Sequence, residues 1–302
     1  MSLNPLNSIR IGTLVDATIS DPADYIAQIL PHGFESFQLT FGSAVNDIDL
    51  PALADRVLAV LEGSNAVISS LGVYGNPILD SEDALQTRES WSQLIRHADA
   101  FGARVIGGFT GRLTDRSIPE SISKFAEVFA PIVDQAGEKG LTIGFENCSM
   151  GGDWSTGDWN IAHGPDAWEL MFEALPDDHV GLEWEPCHQM INLIDPLPQL
   201  RTWVGRIKHI HGKCASVHMD TVRETGVRGS KQFAYHRTPG FGDTDWTDVF
   251  SELRAGGFKG SVDIEGWHDP VYRDELEMSG QVFALNYLKR CRGGVFIPNP
   301  YG

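Results

Sequence analysis

Thr142–Glu146 reads TIGFE and Val180–Glu185 reads VGLEWE. In both, side-chain character alternates with the period of two that a β-strand imposes. Ile143 and Phe145 share one face, and Thr142, Gly144 and Glu146 share the other. Val180, Leu182 and Trp184 likewise oppose Gly181, Glu183 and Glu185. The apolar face is expected to pack on helices. The other face carries a glutamate at the end of each strand.

Short apolar segments of this kind recur along the chain. Candidate strands are Arg10–Asp16, Ser36–Gly42, Ala66–Tyr74, Arg104–Thr110, Thr142–Asn147, Val180–Pro186, Arg206–Lys213 and Ser261–Trp267. Helical patterns lie between them. Asp21-Pro22, Leu50-Pro51, Gly164-Pro165 and Asp195-Pro196 place proline at a helix start, and Gly140 and Gly256-Gly257 follow helix ends. Eight strands alternating with eight helices in 302 residues predict an α/β fold, a (β/α)8 TIM barrel, with the whole chain as one domain. A doubly wound open sheet competes, but the Gly-rich dinucleotide fingerprint is missing after the first strand. Two long glycine-rich segments, Cys148–Ala162 and Cys214–Thr244, follow strands 5 and 7. On a barrel they fall on the catalytic face, where long loops act as lids or substrate walls.

Hydrophobic residues make up 42% of the chain and charged ones 21%, a globular balance. The net charge of −18 disfavours nucleic-acid partners, whose binding depends on lysine and arginine, and equally disfavours anionic membranes. No stretch approaches the ~20 apolar residues of a membrane span. The opening MSLNPLNSIRIG lacks a signal-peptide pattern, so a soluble, cytoplasmic protein is expected. Cys148, Cys187, Cys214 and Cys291 are scattered without a CxxC pair and read as reduced thiols. A thiolate metal site competes poorly with the harder ligands nearby.

The same alternation makes Val262 and Ile264 outward and Asp263 and Glu265 inward, and sets His209 and His211 on the inward face of their strand. Successive strands thus end in Glu146, Glu185, His211 and Glu265. Successive strand ends of a barrel form an arc, so these side chains converge. Buried carboxylates are costly unless paired or metal-bound, and few basic residues lie nearby in sequence. A divalent cation held by three carboxylates and one imidazole answers that cost. An internal salt-bridge cluster or solvated strand ends is the competing reading. Hard oxygen with one nitrogen suits Mn2+, Mg2+, Co2+ or Zn2+. Glu183 and His209 each lie two residues before a proposed ligand, on adjacent strands, so a pair between them one layer deeper is expected. Barrel shear makes a bridging water its alternative.

The chain resembles the sugar phosphate isomerase/epimerase superfamily, the xylose isomerase-like TIM barrels that include ketose 3-epimerases and inosose dehydratases. The resemblance rests on GFENCSM (144–150), VGLEWEPCH (180–188), RIKHIHGKC (206–214), RTPGFGDTDW (237–246) and GSVDIEGW (260–267), with SLGVYGNP (70–77) extending it. It implies that Glu146, Glu185, His211 and Glu265 hold the metal, and that Glu146 and Glu265 transfer protons. It also implies that His188 and Lys213 lie near the substrate. Glu185 stands where aspartate is usual, Cys214 where aspartate often follows the lysine, and Gly266-Trp267 where a more polar pair is common.

The expected chemistry is proton transfer next to a carbonyl. A metal clamped to the carbonyl and a neighbouring hydroxyl stabilises an enediolate, and a positioned carboxylate moves the proton, typically contributing ~10²–10⁴-fold. Epimerisation, isomerisation and dehydration by a lyase share that intermediate. Arg237 is a candidate for a substrate hydroxyl, carboxylate or phosphate, and Phe109, Trp154, Trp159, Tyr235 and Trp267 for apolar walls; loop and core packing are the alternatives. Scarce basic residues favour a neutral sugar or inositol-like substrate over a phosphorylated one. An apurinic-site endonuclease and a non-catalytic sugar-binding protein are the rival classes. A homo-oligomer is suggested only by analogy with other barrels.

Overall fold

A computed structural model describes residues 5–45 and 47–300. Met1–Asn4, the start of the segment searched for a leader, lie outside the described residues. The strands are β1 (Ile9–Asp16), β2 (Ser36–Thr40), β3 (Val67–Val73), β4 (Val105–Gly108), β5 (Thr142–Glu146), β6 (Val180–Trp184), β7 (Ile207–Gly212), β8 (Cys214–Val217), β9 (Ala234–Arg237) and β10 (Gly260–Ile264). The helices are α1 (Pro22–Ile29), α2 (Leu50–Leu61), α3 (Glu82–Phe101), α4 (Ile118–Glu138), α5 (Pro165–Ala174), α6 (Pro186–Ile191), α7 (Pro196–Trp203), α8 (Met219–Thr225), α9 (Trp246–Ala255) and α10 (Glu277–Cys291).

Eight strands form a closed barrel in the order β1-β10-β7-β6-β5-β4-β3-β2, the (β/α)8 architecture expected from the alternation. All eight candidate strands are present, seven of them trimmed by one to three residues at an end; β6 stops at Trp184 and β10 at Ile264, so Glu185 and Glu265 lie one residue past the strands expected to carry them. The proline signals also hold: Asp21 caps α1 by accepting from the Asp24 amide, and Asp195 caps α7 by accepting from the Leu197 amide. Among the described residues, no helix is long and apolar enough to cross a membrane.

The chain divides into two compact units. One comprises Leu14–Trp184 with Arg206–Ile210. Here β2 to β6 pair in parallel, each with the next, and β6 pairs with β7. The outward face of β5 packs as its pattern requires. Phe145 meets Phe125 and Phe129 of α4 edge-on, with ring centroids 5.4 and 4.8 Å away. Trp91 of α3 lies 6.1 Å from the same ring. Such aromatic pairs add about 0.5–1.5 kcal/mol each beyond their buried area.

The other unit comprises the chain up to Thr13, Glu185–Gly205 and the chain from His211 onward. There β1 pairs with β10 from Ile9↔Gly260 to Thr13↔Ile264. The long segment after β7 is not a plain loop: β8 and β9 form an antiparallel pair running from Cys214↔Arg237 to Val217↔Ala234, with α8 between them. Composition hid this hairpin, because its strands are only four residues long and lack a repeated alternation. By contrast, Cys148–Ala162 carries no helix or strand of its own, only an isolated bridge from Asn160 to Gly111.

Candidate active site

In the unit that contains β2 to β6, Glu146 ends β5 and is buried. Glu183 stands beside it in register on β6. A bulge between Leu182 and Glu183 shifts the ladder so that Glu183 faces His209 on β7. His209 Nδ1 and Glu183 Oε1 are 3.0 Å apart, and both side chains are essentially inaccessible to solvent. The contact is direct. Two further partners were not anticipated. Gln38 Nε2 donates to Glu183 Oε1 at 2.7 Å, and the Tyr74 hydroxyl donates to Oε2 at 2.9 Å. Gln38 Nε2 also donates to the Tyr74 hydroxyl at 2.7 Å. A carboxylate buried this deeply needs such donors.

Glycine makes the room. A Cβ on Gly107 of β4 would fall on the Glu183 carboxylate, and one on Gly144 of β5 would sit 3.2 Å from the Glu183 amide nitrogen. Gly107→Ala is therefore expected to destabilise the protein by about 1–3 kcal/mol, the usual cost of overpacking a filled core. Thermal unfolding checks this; an unchanged Tm would mean that the carboxylate can move aside freely.

The loop after β5 is tied down by residues that the sequence reading missed. Asn160 Nδ2 donates to the Glu146 carbonyl at 2.8 Å and to the Cys148 carbonyl at 2.7 Å. Its Oδ1 accepts from the Thr110 hydroxyl at 2.5 Å. Arg112 is fully buried, and its guanidinium donates to the carbonyls of Asp153 (2.6 Å) and Arg116 (2.6 and 2.8 Å). Burial lowers the Arg112 pKa against the pull of Asp153 and Asp158. Trp154 and Trp159 on this loop are exposed, whereas Phe109 is buried edge-on to Tyr74 at 5.3 Å.

The other unit gathers Glu185, His188, His211, Lys213 and Glu265. Pro186 opens α6 and holds Glu185 in extended backbone, and one helical turn returns His188 to it, with Nε2 in contact with Glu185 Oε1. His211, on β7, and Lys213, just past its end, both reach Glu265. Ligand atoms of Glu185, His211 and Glu265 all lie within 4.8 Å of one another, and all three side chains are buried. His211 Nδ1 is 3.5 Å from Glu265 Oε2. Lys213, buried as deeply, sets its Nζ 2.9 Å from Glu265 Oε1 and 3.7 Å from Glu185 Oε2. The sequence reading found little basic charge near these acids; Lys213 supplies it.

Burial by itself would raise the Glu265 carboxyl. Lys213, the hydrogen bond from His268 at 2.8 Å and His211 outweigh it and hold the group well below the usual range. Glu185 is lowered in the same way: burial opposes, and His188 and Lys213 prevail. His236 lies between His188 and His268, with ring centroids 5.2 and 5.5 Å away. Burial, then Lys213 and His188, push it down to about 4, so its ring is neutral at physiological pH. Burial raises the Cys187 thiol well above its usual value and also raises Cys214, which accepts from Trp246 Nε1 at 3.1 Å.

Arg237 is not a loose loop arginine. Its Nε donates to Asp269 Oδ2 at 3.0 Å. Asp269 also accepts from the amides of Thr238 (2.8 Å), Val271 (2.8 Å) and Tyr272 (2.9 Å), and ties the segment after β10 to the end of β9. The Asp269-Pro270 pair, a turn signal, was the available clue. Gly266 is explained by packing, since a Cβ there would sit 2.8 Å from Gln281 Cγ on α10.

Comparison with known proteins agrees with this fold. The family model described as xylose isomerase-like TIM barrel matches residues 26–284. An inosose dehydratase of Clostridium tetani (strain Massachusetts / E88) is 27% identical over 131 residues, 40% of this chain and 41% of that protein. An inosose dehydratase of Lactiplantibacillus plantarum is 29% identical over 114 residues, 37% of each. The match thus spans about two-fifths of the length of these curated relatives. Among solved structures, the apo 3-keto-D-glucoside 4-epimerase of E. coli superposes with a TM-score of 0.70 at 16% identity, over 94% of this chain and 100% of that one. An L-ribulose 3-epimerase gives 0.67 at 17% identity, over 94% and 96%.

Proposed function

The chain belongs to the xylose isomerase-like TIM-barrel family, and we propose that within it the protein is a divalent-metal-dependent isomerase or epimerase acting on a small sugar or polyol-derived ketone. The convergence of Glu185, His211 and Glu265 in one buried cluster carries this reading. Two carboxylates and an imidazole fit a hard or borderline divalent ion, and Oε2 of Glu265 has no hydrogen-bond partner among the described residues. Glu146, buried at the end of the strand next to β6, is the proposed fourth ligand. Mn2+, Mg2+, Co2+ and Zn2+ all suit the set.

Glu185, His211 and Glu265, with Glu146, would hold the cation, which would supply Lewis-acid stabilisation of the negative charge that develops when a proton leaves the carbon next to a carbonyl. The chain's residues do the rest. Glu146 and Glu265 exchange the proton on the carbon next to the carbonyl, one removing it and the other returning it. Lys213 and His268 favour the carboxylate form of Glu265. His188, Lys213 and Arg237 orient substrate oxygens. Arg237 is steadied for this by Asp269, and the Glu183–His209 contact steadies the strand that carries His211.

Dehydration of a keto-polyol is the second reading, favoured by the inosose dehydratases among the sequence relatives. Both readings predict carbon–hydrogen cleavage. Ketoses, aldoses and inososes incubated with the protein and Mn2+ in D2O, and followed by NMR, are expected to yield a product deuterated at the reacting carbon. Turnover of a substrate with no deuterium at that carbon would refute proton transfer. Loss of water from the product would select the dehydratase.

A further inference from the structure

Lys213 has more to do than touch substrate. Its side chain is 2% exposed. Its ammonium group spans two proposed ligands, 2.9 Å from Glu265 and 3.7 Å from Glu185. Of the other cationic side chains nearby, Arg237 pairs with Asp269 at 3.0 Å and the His236 ring is uncharged at neutral pH, while His188 contacts Glu185 and His268 lies 2.8 Å from Glu265 as imidazoles, which unlike an ammonium group can give up their charge near neutrality. In a buried cluster these charges are weakly screened, so the local balance governs which cation the pocket accepts.

We propose that Lys213 is the fixed counter-charge of this site and sets its preference for a divalent over a trivalent cation. The proposal rests on the ligand set assigned above. Three glutamates and one ammonium group leave two negative charges around a neutral ligating imidazole, which one divalent ion cancels. Removing the ammonium leaves a third uncancelled negative charge. Affinity then rises for every cation and rises most for the most highly charged. Lys213 is in this respect a positioning residue: it acts on the ion through Glu265 and Glu185.

The test is titration of the metal-free full chain with Mn2+ and, separately, with Tb3+, by calorimetry and by tryptophan-sensitised terbium emission. Lys213→Gln removes the charge and keeps a hydrogen-bond donor. Lys213→Met removes both, and Lys213→Arg restores the charge. Circular dichroism selects the variants that fold. Lys213→Gln or Lys213→Met is expected to raise the Tb3+-to-Mn2+ affinity ratio by about tenfold or more, the third positive charge gaining most once the ammonium is gone. Lys213→Arg is expected to keep the wild-type ratio. A merely structural lysine would weaken both ions alike and leave the ratio unmoved, and that result would overturn the proposal. Binding of neither ion by the wild type would instead overturn the ligand assignment, and the proposal with it.

Discussion

His211→Ala is expected to abolish stoichiometric binding of Mn2+ and, with it, turnover. The side chain is buried, its Nδ1 lies 3.5 Å from Glu265 Oε2, and it supplies the one nitrogen of the proposed set. Alanine leaves a hole and no donor, and the remaining ligands would all be carboxylates crowded around one ion. The loss should exceed the roughly 10–100-fold weakening that follows when an outer partner of a metal ligand is removed. Isothermal titration of the metal-free variant measures it. Retained one-to-one binding at near wild-type affinity would remove His211 from the ligand set. Glu146→Gln is expected to behave the same way, and it probes the ligand for which this reading leans most on sequence.

Glu183→Ala should produce the largest loss of stability. Its carboxylate is completely buried and receives Gln38, Tyr74 and His209 at 2.7, 2.9 and 3.0 Å. Deleting it takes the shared acceptor from Gln38, His209 and the part-buried Tyr74, leaving Gln38 and Tyr74 their bond to each other. Removing one partner from such a buried cluster typically costs about 3–5 kcal/mol. Glu183→Gln keeps the volume but replaces one acceptor oxygen by a donor. It should fold and weaken metal affinity by about 10–100-fold, because His209 loses the partner that steadies the strand carrying His211. Chemical denaturation and metal titration of the two variants separate the effects. A cost below about 1 kcal/mol for alanine would show that the three partners find water or one another instead.

Much of this was legible in the chain. Alternation over TIGFE and VGLEWE gave the strands and their buried outer faces, although Glu185 falls one residue past the end of β6, before α6. Period-two patterning is a local property, and strands with one apolar face express it directly. The Glu183–His209 contact was also readable, although only the bulge at Leu182/Glu183 brings the two opposite each other. Gln38, Tyr74, Asn160 and Asp269 were not read as site residues. Each acts through a hydrogen bond to a partner 14 to 145 positions away, and apart from the turn signal at Asp269-Pro270 nothing in their neighbourhood announces it. The role of Lys213 was hidden for a similar reason. Its distance in sequence from Glu185 and Glu265 gave no sign that its ammonium group would span both.

Glu146, Glu185, His211 and Glu265 are proposed to hold a single divalent ion. An anomalous difference map from crystals of the protein grown with Mn2+ tests it most directly. One strong peak per chain is expected, bounded by a carboxylate oxygen from each glutamate and a ring nitrogen of His211. A peak coordinated by other residues, or no peak while the four side chains stay locked in contacts with Lys213 and one another, would contradict it.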